Sequence, residues 1–513
     1  MISKKLKEFF RIGSSCNIAL ISLLLTFLVC FVSYNAFIVY GFNSPDGILE
    51  GFHFYTNRHW ALSGCGRWFL ALINNAHANI VAPWLTIIEC CLSNWMSSFV
   101  ICKMLGIKNK YHILLLCILF SVIPTFIEIN LYTNSAFSYS LSILLSVLYV
   151  YFNLKQSFLY SFVSAVFLGF AMGSYQSQIG VAIGLTVICL TKKILEEKND
   201  ITHYLIKSLI SGLLGLLVYI IGLNICLSIY HLELSSRAAS FSLREVFINL
   251  PSSFIKMYHV FFDTFNQISL KRKYVYFTLL ILLIIEEIAI ICDVIKNKKY
   301  IKLFSILLIC FLPIFFNFIG IILPMFDVTS LMLSPNYLIV FLIAYLLNYL
   351  NINIRRIMSL VLCLAFAYLS WTYVLSANAT YECYRLSYNA YRTQFSNALN
   401  RVYELDDYEY NSTKIVVIGA PKDNSLRENL KIYNYSIDLY ANLLYWNTPD
   451  LDINTTYHYL INEFGIDPGQ IEYEEYKTLI TNPGIESMPV WPNKGSVDMI
   501  DGYAVIKFGE LDE

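Results

Sequence analysis

Apolar residues along the chain fall into long blocks, not into the alternation of a half-buried strand or the narrow stripe of a soluble helix. A helix that crosses a hydrocarbon layer needs about 20 mostly apolar residues. Eleven blocks approach that length, centred near Leu28, Asn94, Leu116, Leu144, Ala165, Ala182, Leu216, Ile284, Ile309, Leu342 and Cys363. The first runs from about Asn17 to Tyr40 behind Lys4, Lys5, Lys7 and Arg11. It is too long for the apolar core of a cleaved signal and reads as a retained anchor.

Between the blocks, two segments are long enough to hold structure of their own: about Gly41 to Pro83, and about His231 to Lys273. In the second, Leu243, Phe247, Leu250, Phe254, Met257 and Phe261 recur at helical spacing with polar residues between them. That pattern fits a helix lying in the headgroup plane or one facing the core, and Pro251 is expected to split it. After Ser376 the blocks end. TKIVVIGAP (Thr413 to Pro421) predicts a strand entering a turn, IDLYANLLYW (Ile437 to Trp446) a helix, and GYAVIKFG (Gly502 to Gly509) a second strand. The expected fold class is an all-α polytopic membrane protein of about 11 spans, residues 1–376, carrying a small α/β domain over residues 377–513.

Composition agrees with this pattern. Of 513 residues, 57% are hydrophobic and 14% charged, against about 25% charged in an ordinary soluble domain. Net charge is zero, but residues 1–376 hold 26 basic and 15 acidic side chains and residues 377–513 hold 10 and 21. No strongly basic face suggests a nucleic-acid partner. Lys and Arg also set the expected orientation. With the N-terminus cytoplasmic, the inner loops collect Lys103, Lys108, Lys110, Lys155, Lys192, Lys193, Lys198, Lys296, Lys298, Lys299, Lys302, Arg355 and Arg356. An odd number of crossings then leaves the acidic tail outside. Lys271, Arg272 and Lys273 run against the rule. Most of the 13 Cys sit in apolar runs, where they behave as small hydrophobes, and none has metal-ligand spacing.

Candidate chemistry concentrates in the first outer loop, where Asp46, Glu50, His53, Arg58, His59, Trp60, Arg67 and Trp68 lie within about two dozen residues. A carboxylate takes a proton from an attacking sugar hydroxyl, a guanidinium holds a leaving phosphate in two-pronged fashion, and flat rings pack on sugar faces. The plainer reading is an exposed loop of mixed polarity. Glu128 stands at the outer end of the third block near Asn130 and Tyr132, Glu89 lies within the second block, and Tyr175 and Gln176 lie in a tight, small-residue turn that is equally a structural feature. Asp327 and Tyr337 flank another outer turn without specificity. The string Asp450, Leu451, Asp452 and the sequons at Asn378, Asn411 and Asn454 read as chance.

Three strings in order carry a resemblance. Asp46 is followed by GCGRWFLALIN (Gly64 to Asn74), then IPTFIEINLY (Ile123 to Tyr132), then GSYQSQIGVAI (Gly173 to Ile183). Over about residues 15–380 the chain resembles the serotype-converting O-antigen glucosyltransferases of the type II Gtr family. The resemblance implies a GT-C-like, membrane-embedded transferase that uses a polyprenyl-phosphate hexose, namely undecaprenyl phosphate glucose, on the outer face of the cytoplasmic (inner) membrane. Implied partners are membrane lipids, a surface polysaccharide or lipid-linked oligosaccharide acceptor, a flippase and a donor-synthesising transferase. By motif, Asp46 is the implied base with Glu50 its rival, Arg67 the donor-phosphate ligand, and Glu128, Tyr175 and Gln176 line the site; Arg58 and Trp60 join them as loop candidates. The expected cofactor is none, since phosphate is an adequate leaving group, with a divalent cation as optional assistance. A polysaccharide polymerase and a transporter or flippase are the competing functions.

Overall fold

The computed structural model describes residues 16–42, 60–77, 82–155, 157–235, 243–266, 270–323, 327–410, 412–421, 429–437 and 449–510. Every predicted apolar block is helical. Among the described residues, eight helices are long and apolar enough to cross a membrane, and the blocks at Ala165, Ile309 and Leu342 form shorter ones. The molecule is therefore an all-α polytopic membrane protein with a small C-terminal sheet.

Helix boundaries follow local chemistry. Helix α1 (Cys16–Tyr40) is the N-terminal anchor block; after a short π-turn over Trp60–Gly64 comes α2 (Trp68–Ala76). Helix α3 (Pro83–Leu105) opens on a proline whose missing N–H is one of the unpaired donors of a first turn, and closes on Gly106 in the left-handed region at φ 73°. Asn109 caps α4 (Lys110–Ser121) by accepting from the Tyr111 N–H at 3.0 Å. Pro124 then starts a separate short helix, α5 (Pro124–Ile129), followed by α6 (Thr133–Asn153) and α7 (Phe158–Ser174). A single 3₁₀ turn, Gln176–Gln178, joins α7 to α8 (Ile179–Leu195), the tight turn expected from its small residues.

Helix α9 (Ile201–Tyr230) crosses α7 closely because a Cβ on Gly169 would stand 2.5 Å from Val218 and one on Gly215 would stand 2.9 Å from Leu168. Helix α10 (Leu243–Asn266) is continuous: Pro251 does not split it. Its ring lies on an exposed face, and the single lost hydrogen bond leaves the flanking turns intact. Met257 is fully buried and packs with Ile314 and Ile321, while Phe247, Ile248 and Ile255 stay exposed, so α10 is core-facing on one side and apolar on the other. Helix α11 (Leu270–Asn297) is followed by α12 (Leu303–Cys310), α13 (Leu312–Phe316), α14 (Ile319–Ile322) and α15 (Ile339–Leu346).

Lysines gather at one end of this bundle. Lys192 Nζ donates to the Met104 carbonyl at 2.7 Å, Lys193 pairs with Asp200 at 2.6 Å, and Lys299 pairs with Glu197 at 2.7 Å. Tyr175 lies just before the opposite end of α8 from Lys192 and Lys193, and Arg67 packs on its ring.

Helix α16 (Ile352–Tyr403) carries the chain out of the bundle without a break. At about 1.5 Å per residue it is far longer than a bilayer is thick. Residue 376 thus lies inside a helix, whose second half buries Phe395 against Tyr459 and Phe508 of the tail. The tail sheet has the order β1-β3-β2, with β1 (Ile415–Ile418) parallel to β3 (Tyr503–Lys507) and β2 (Val497–Ile500) antiparallel to it. Asp501 and Gly502, both at positive φ, close the two-residue β2–β3 turn as an Asp-Gly pair does. Strands β1 and β3 match the two strand segments read from the sequence, whereas the helix expected over Ile437 to Trp446 lies almost wholly outside the described residues.

Tyr503 donates to Glu475, and that carboxylate pushes the Tyr503 phenol up to about 12; Tyr503 and Lys414 hold Glu475 below the usual carboxylate range. A phenol whose folded value is raised stabilises the fold below its unfolded value near 10 and loses that contribution as pH rises through about 12. Tyr503→Phe should therefore lower the melting temperature of the tail at pH 7 to 9, and the gap from wild type should close by about pH 12, as read by circular dichroism melts across that range.

Candidate functional site

Arg67 stands at the N-cap of α2, and three neighbours fix the backbone that presents it. Gln176 Nε2 donates to the Cys65 carbonyl at 2.7 Å and to Tyr219 Oη at 3.2 Å, and Tyr219 Oη donates to the Gly66 carbonyl at 3.2 Å. Gly66 sits at φ 67°, and a Cβ there would meet Tyr219 Oη at 2.8 Å, so both conformation and space require glycine. The Arg67 N–H donates to the Ala61 carbonyl at 2.6 Å. Trp68, next in sequence, fills the space over Gly173 and Gly222 and anchors α2 to α7 and α9.

Held this way, the half-buried guanidinium lies 4.7 Å from the ring centre of Tyr175 and 5.5 Å from that of Tyr139. Its Nη1 donates to Tyr139 Oη at 2.8 Å. The two rings stack at 4.3 Å and 24°, and Tyr132 continues the aromatic line 6.3 Å from Tyr139. A cation over aromatic faces gains about 1–2 kcal/mol when partly desolvated.

Glu128 is fully buried on α5 and accepts from Ser330 Oγ. Burial lifts the Tyr175 phenol above the ordinary tyrosine range; Arg67 opposes that shift and Glu128 adds to it. The phenol thus lies within the fields of both charges. Tyr381 of α16 donates to the Ile127 carbonyl at 2.7 Å and ties α5 to the long helix.

Among the residues singled out from sequence, the fold brings Arg67, Tyr175 and Gln176 together and sets Glu128 in the same field. Trp60 sits in the π-turn, 41% exposed, with its ring over Gly64. Asp46, Glu50 and Arg58 lie outside the described residues. Asp327 pairs with Lys256 at 2.7 Å on the surface. Tyr139, Tyr219 and Ser330 were not singled out; each sits in a helix or turn whose composition is ordinary, and only their spatial pairing gives them a role. Among the described residues no cluster of three His, Cys, Asp or Glu side chains could hold a metal. Cys65 is a free thiol.

Gln176→Ala removes the bond to the Cys65 carbonyl and the bond that steadies Tyr219 Oη, which itself holds the Gly66 carbonyl. At about 1 kcal/mol per bond, activity should fall by roughly 10- to 30-fold with the melting temperature little changed, measured on the same detergent preparation.

The fold is that of a polytopic membrane protein in which a stacked guanidinium, Arg67, and a buried carboxylate, Glu128, both act on the Tyr175 phenol. The family model for glucosyl transferase GtrII matches residues 36–347, more than half of the chain, and the chain belongs to that family. Its activity class is accordingly glucosyl transfer, of the kind that modifies O-antigen. Among curated proteins and among solved structures, no match to the chain is found.

Proposed function

We propose that the protein transfers glucose from undecaprenyl phosphate glucose to a surface polysaccharide or its lipid-linked repeat, at the outer face of the cytoplasmic membrane. The observation that carries this reading is the Arg67 guanidinium stacked on Tyr139 and Tyr175, within a membrane bundle and inside the family-matched region. Arg67 holds the phosphate of the donor as it leaves. Two N–H groups in one plane match two phosphate oxygens, and the low-dielectric surroundings strengthen the contact.

The reaction is a single displacement at the anomeric carbon. A carboxylate of the first loop, Asp46 or Glu50, takes the proton from the acceptor hydroxyl; that oxygen forms the new glycosidic bond as the bond to phosphate breaks. One displacement inverts the anomeric centre. The negative charge that develops on the departing polyprenyl phosphate is met by Arg67, so no metal is chemically required. Glu128 and Tyr175 line the site, with Gln176 holding the turn in place.

Orientation rests on the lysine-rich end of the bundle, which the positive-inside rule sets in the cytoplasm. The Arg67 end and the tail beyond residue 377 then face outward, where a partner flippase delivers the donor. The family match stops at residue 347, which supports a separate task for the tail in acceptor recognition. Comparing Asp46→Asn and Glu50→Gln with wild type, using radiolabelled undecaprenyl phosphate glucose and acceptor-bearing membranes, tests the mechanism. One of the two should abolish transfer; full activity in both would remove the first loop as the source of the base.

A further inference from the structure

Breaking the bond between glucose and phosphate changes the charge that the site must hold. A polyprenyl phosphate sugar is a diester with a single negative charge. The electron pair of the cleaved C–O bond stays with the phosphate, so the released monoester carries about −1.5 to −2 at neutral pH. A cation alone, such as Arg67, would hold that product more tightly than the donor and slow turnover. Glu128 stands against this. It is fully buried on α5 and accepts from Ser330 Oγ, and a buried charge persists where it is hydrogen-bonded and faces an opposite charge. The turn that follows ties it to the aromatic stack. The Leu131 N–H donates to the Glu128 carbonyl at 2.9 Å, the Tyr132 N–H donates to the Ile129 carbonyl at 3.0 Å, and the Tyr132 ring lies 6.3 Å from that of Tyr139. Tyr139 stacks in turn on Tyr175 at 4.3 Å, with the Arg67 guanidinium 4.7 Å from the Tyr175 ring centre. The Tyr175 phenol registers both charges, with opposite sign. The 3₁₀ turn Ser330–Met332 packs on α5, so the field of the carboxylate crosses protein, where screening is weak.

We propose, building on the transferase reading above, that Glu128 is a specificity-determining residue that tells donor from product by charge: it offsets part of the Arg67 field and so expels the phosphate monoester. A fixed negative charge opposes a bound anion in proportion to that anion's own charge. In free energy it weighs on a doubly charged product up to twice as heavily as on a singly charged donor. In binding ratios the penalty on the product then approaches the square of the penalty on the donor. Arg67 supplies the attraction and Glu128 the discrimination between the two states of the phosphate. For this Glu128 needs no contact with the ligand, only burial and a fixed place beside the stack.

The test uses full-length protein in nanodiscs at about pH 8, where the monoester is fully ionised. Kd is measured for undecaprenyl phosphate and, separately, for undecaprenyl phosphate glucose. The proteins are wild type, the neutral Glu128→Gln and Glu128→Met, the charge-conserving Glu128→Asp, and Arg67→Ala, each checked for a monodisperse gel-filtration peak. Both neutral variants should tighten undecaprenyl phosphate by about tenfold and the donor by only about threefold. Glu128→Asp should return both values toward wild type. The split between the two ligands is the readout that a merely structural Glu128 would not move. Neutral variants whose affinities stay within about twofold of wild type, or shift equally for both ligands, would overturn the proposal. If Arg67→Ala weakens both ligands in that case, the phosphate-holding reading of Arg67 stands without it. If Arg67→Ala weakens neither while the neutral variants still split them, the Arg67 reading fails and the charge discrimination stands. Loss of the monodisperse peak in both neutral variants would make Glu128 a folding residue and overturn the proposal.

Discussion

Arg67→Ala is expected to lower kcat/KM for glucosyl transfer by about 100- to 1000-fold, the range seen when a single preorganised donor to a developing oxyanion is removed. The fold should survive. Arg67 is only partly buried, and its stack on Tyr139 and Tyr175 contributes about 1–2 kcal/mol. The backbone that presents it is clamped by Gln176 and Tyr219 independently of the guanidinium. Arg67→Lys keeps the charge and loses the planar fork, so it should recover no more than about tenfold of the loss. Steady-state transfer rates and melting temperatures on the same preparations separate the two effects. A loss of rate accompanied by an equal loss of folded protein would mean that Arg67 is structural.

The second large effect concerns assembly. A Cβ on Gly180 would stand 2.1 Å from the Phe316 carbonyl oxygen and 3.0 Å from Pro335, and one on Gly184 would stand 2.4 Å from the Phe316 ring. These two glycines, four residues apart, let α8 lie directly on α13. Between membrane helices the driving force is packing and hydrogen bonding, not water expulsion, so a lost close approach is not regained elsewhere. The same contact holds a buried chain of amides and hydroxyls. Ser334 donates to Gln178 at 2.6 Å, Asn317 donates to Asn336 at 2.9 Å, and Asn336 donates to Thr264 at 2.8 Å. Gly180→Leu should therefore destabilise the protein by about 3 kcal/mol or more, through overpacking and through that displaced network. Gly212 serves as the contrast, since a Cβ there meets only Tyr149 Oη at 3.5 Å. Gly212→Ala should leave the melting temperature and the gel-filtration profile nearly unchanged, while Gly180→Leu loses the monodisperse peak.

The eleven apolar blocks were legible because hydrocarbon imposes one strong requirement, length, and each block meets or approaches it. The tight turn at Tyr175 was legible from its small residues. Pro251 misled because a proline on an exposed face costs one hydrogen bond, and the Met257 side of α10 is held by Ile314 and Ile321. The run of α16 through residue 376 was hidden for a related reason: hydropathy falls where the helix leaves the membrane, but helical periodicity does not. Arg67 could be found from its loop and its motif. Tyr139, Tyr219 and Ser330 could not, because their partners lie 72, 153 and 202 positions away and the pairing depends on how the helices dock.

The most direct measurement offers wild-type protein in proteoliposomes labelled undecaprenyl phosphate glucose and, separately, labelled UDP-glucose, each with an O-antigen acceptor, and determines the anomeric configuration of the product by NMR. Transfer is expected from the lipid-linked donor alone, with the anomeric centre inverted. Transfer from the nucleotide sugar without the lipid donor, or a product with retained configuration, would contradict it.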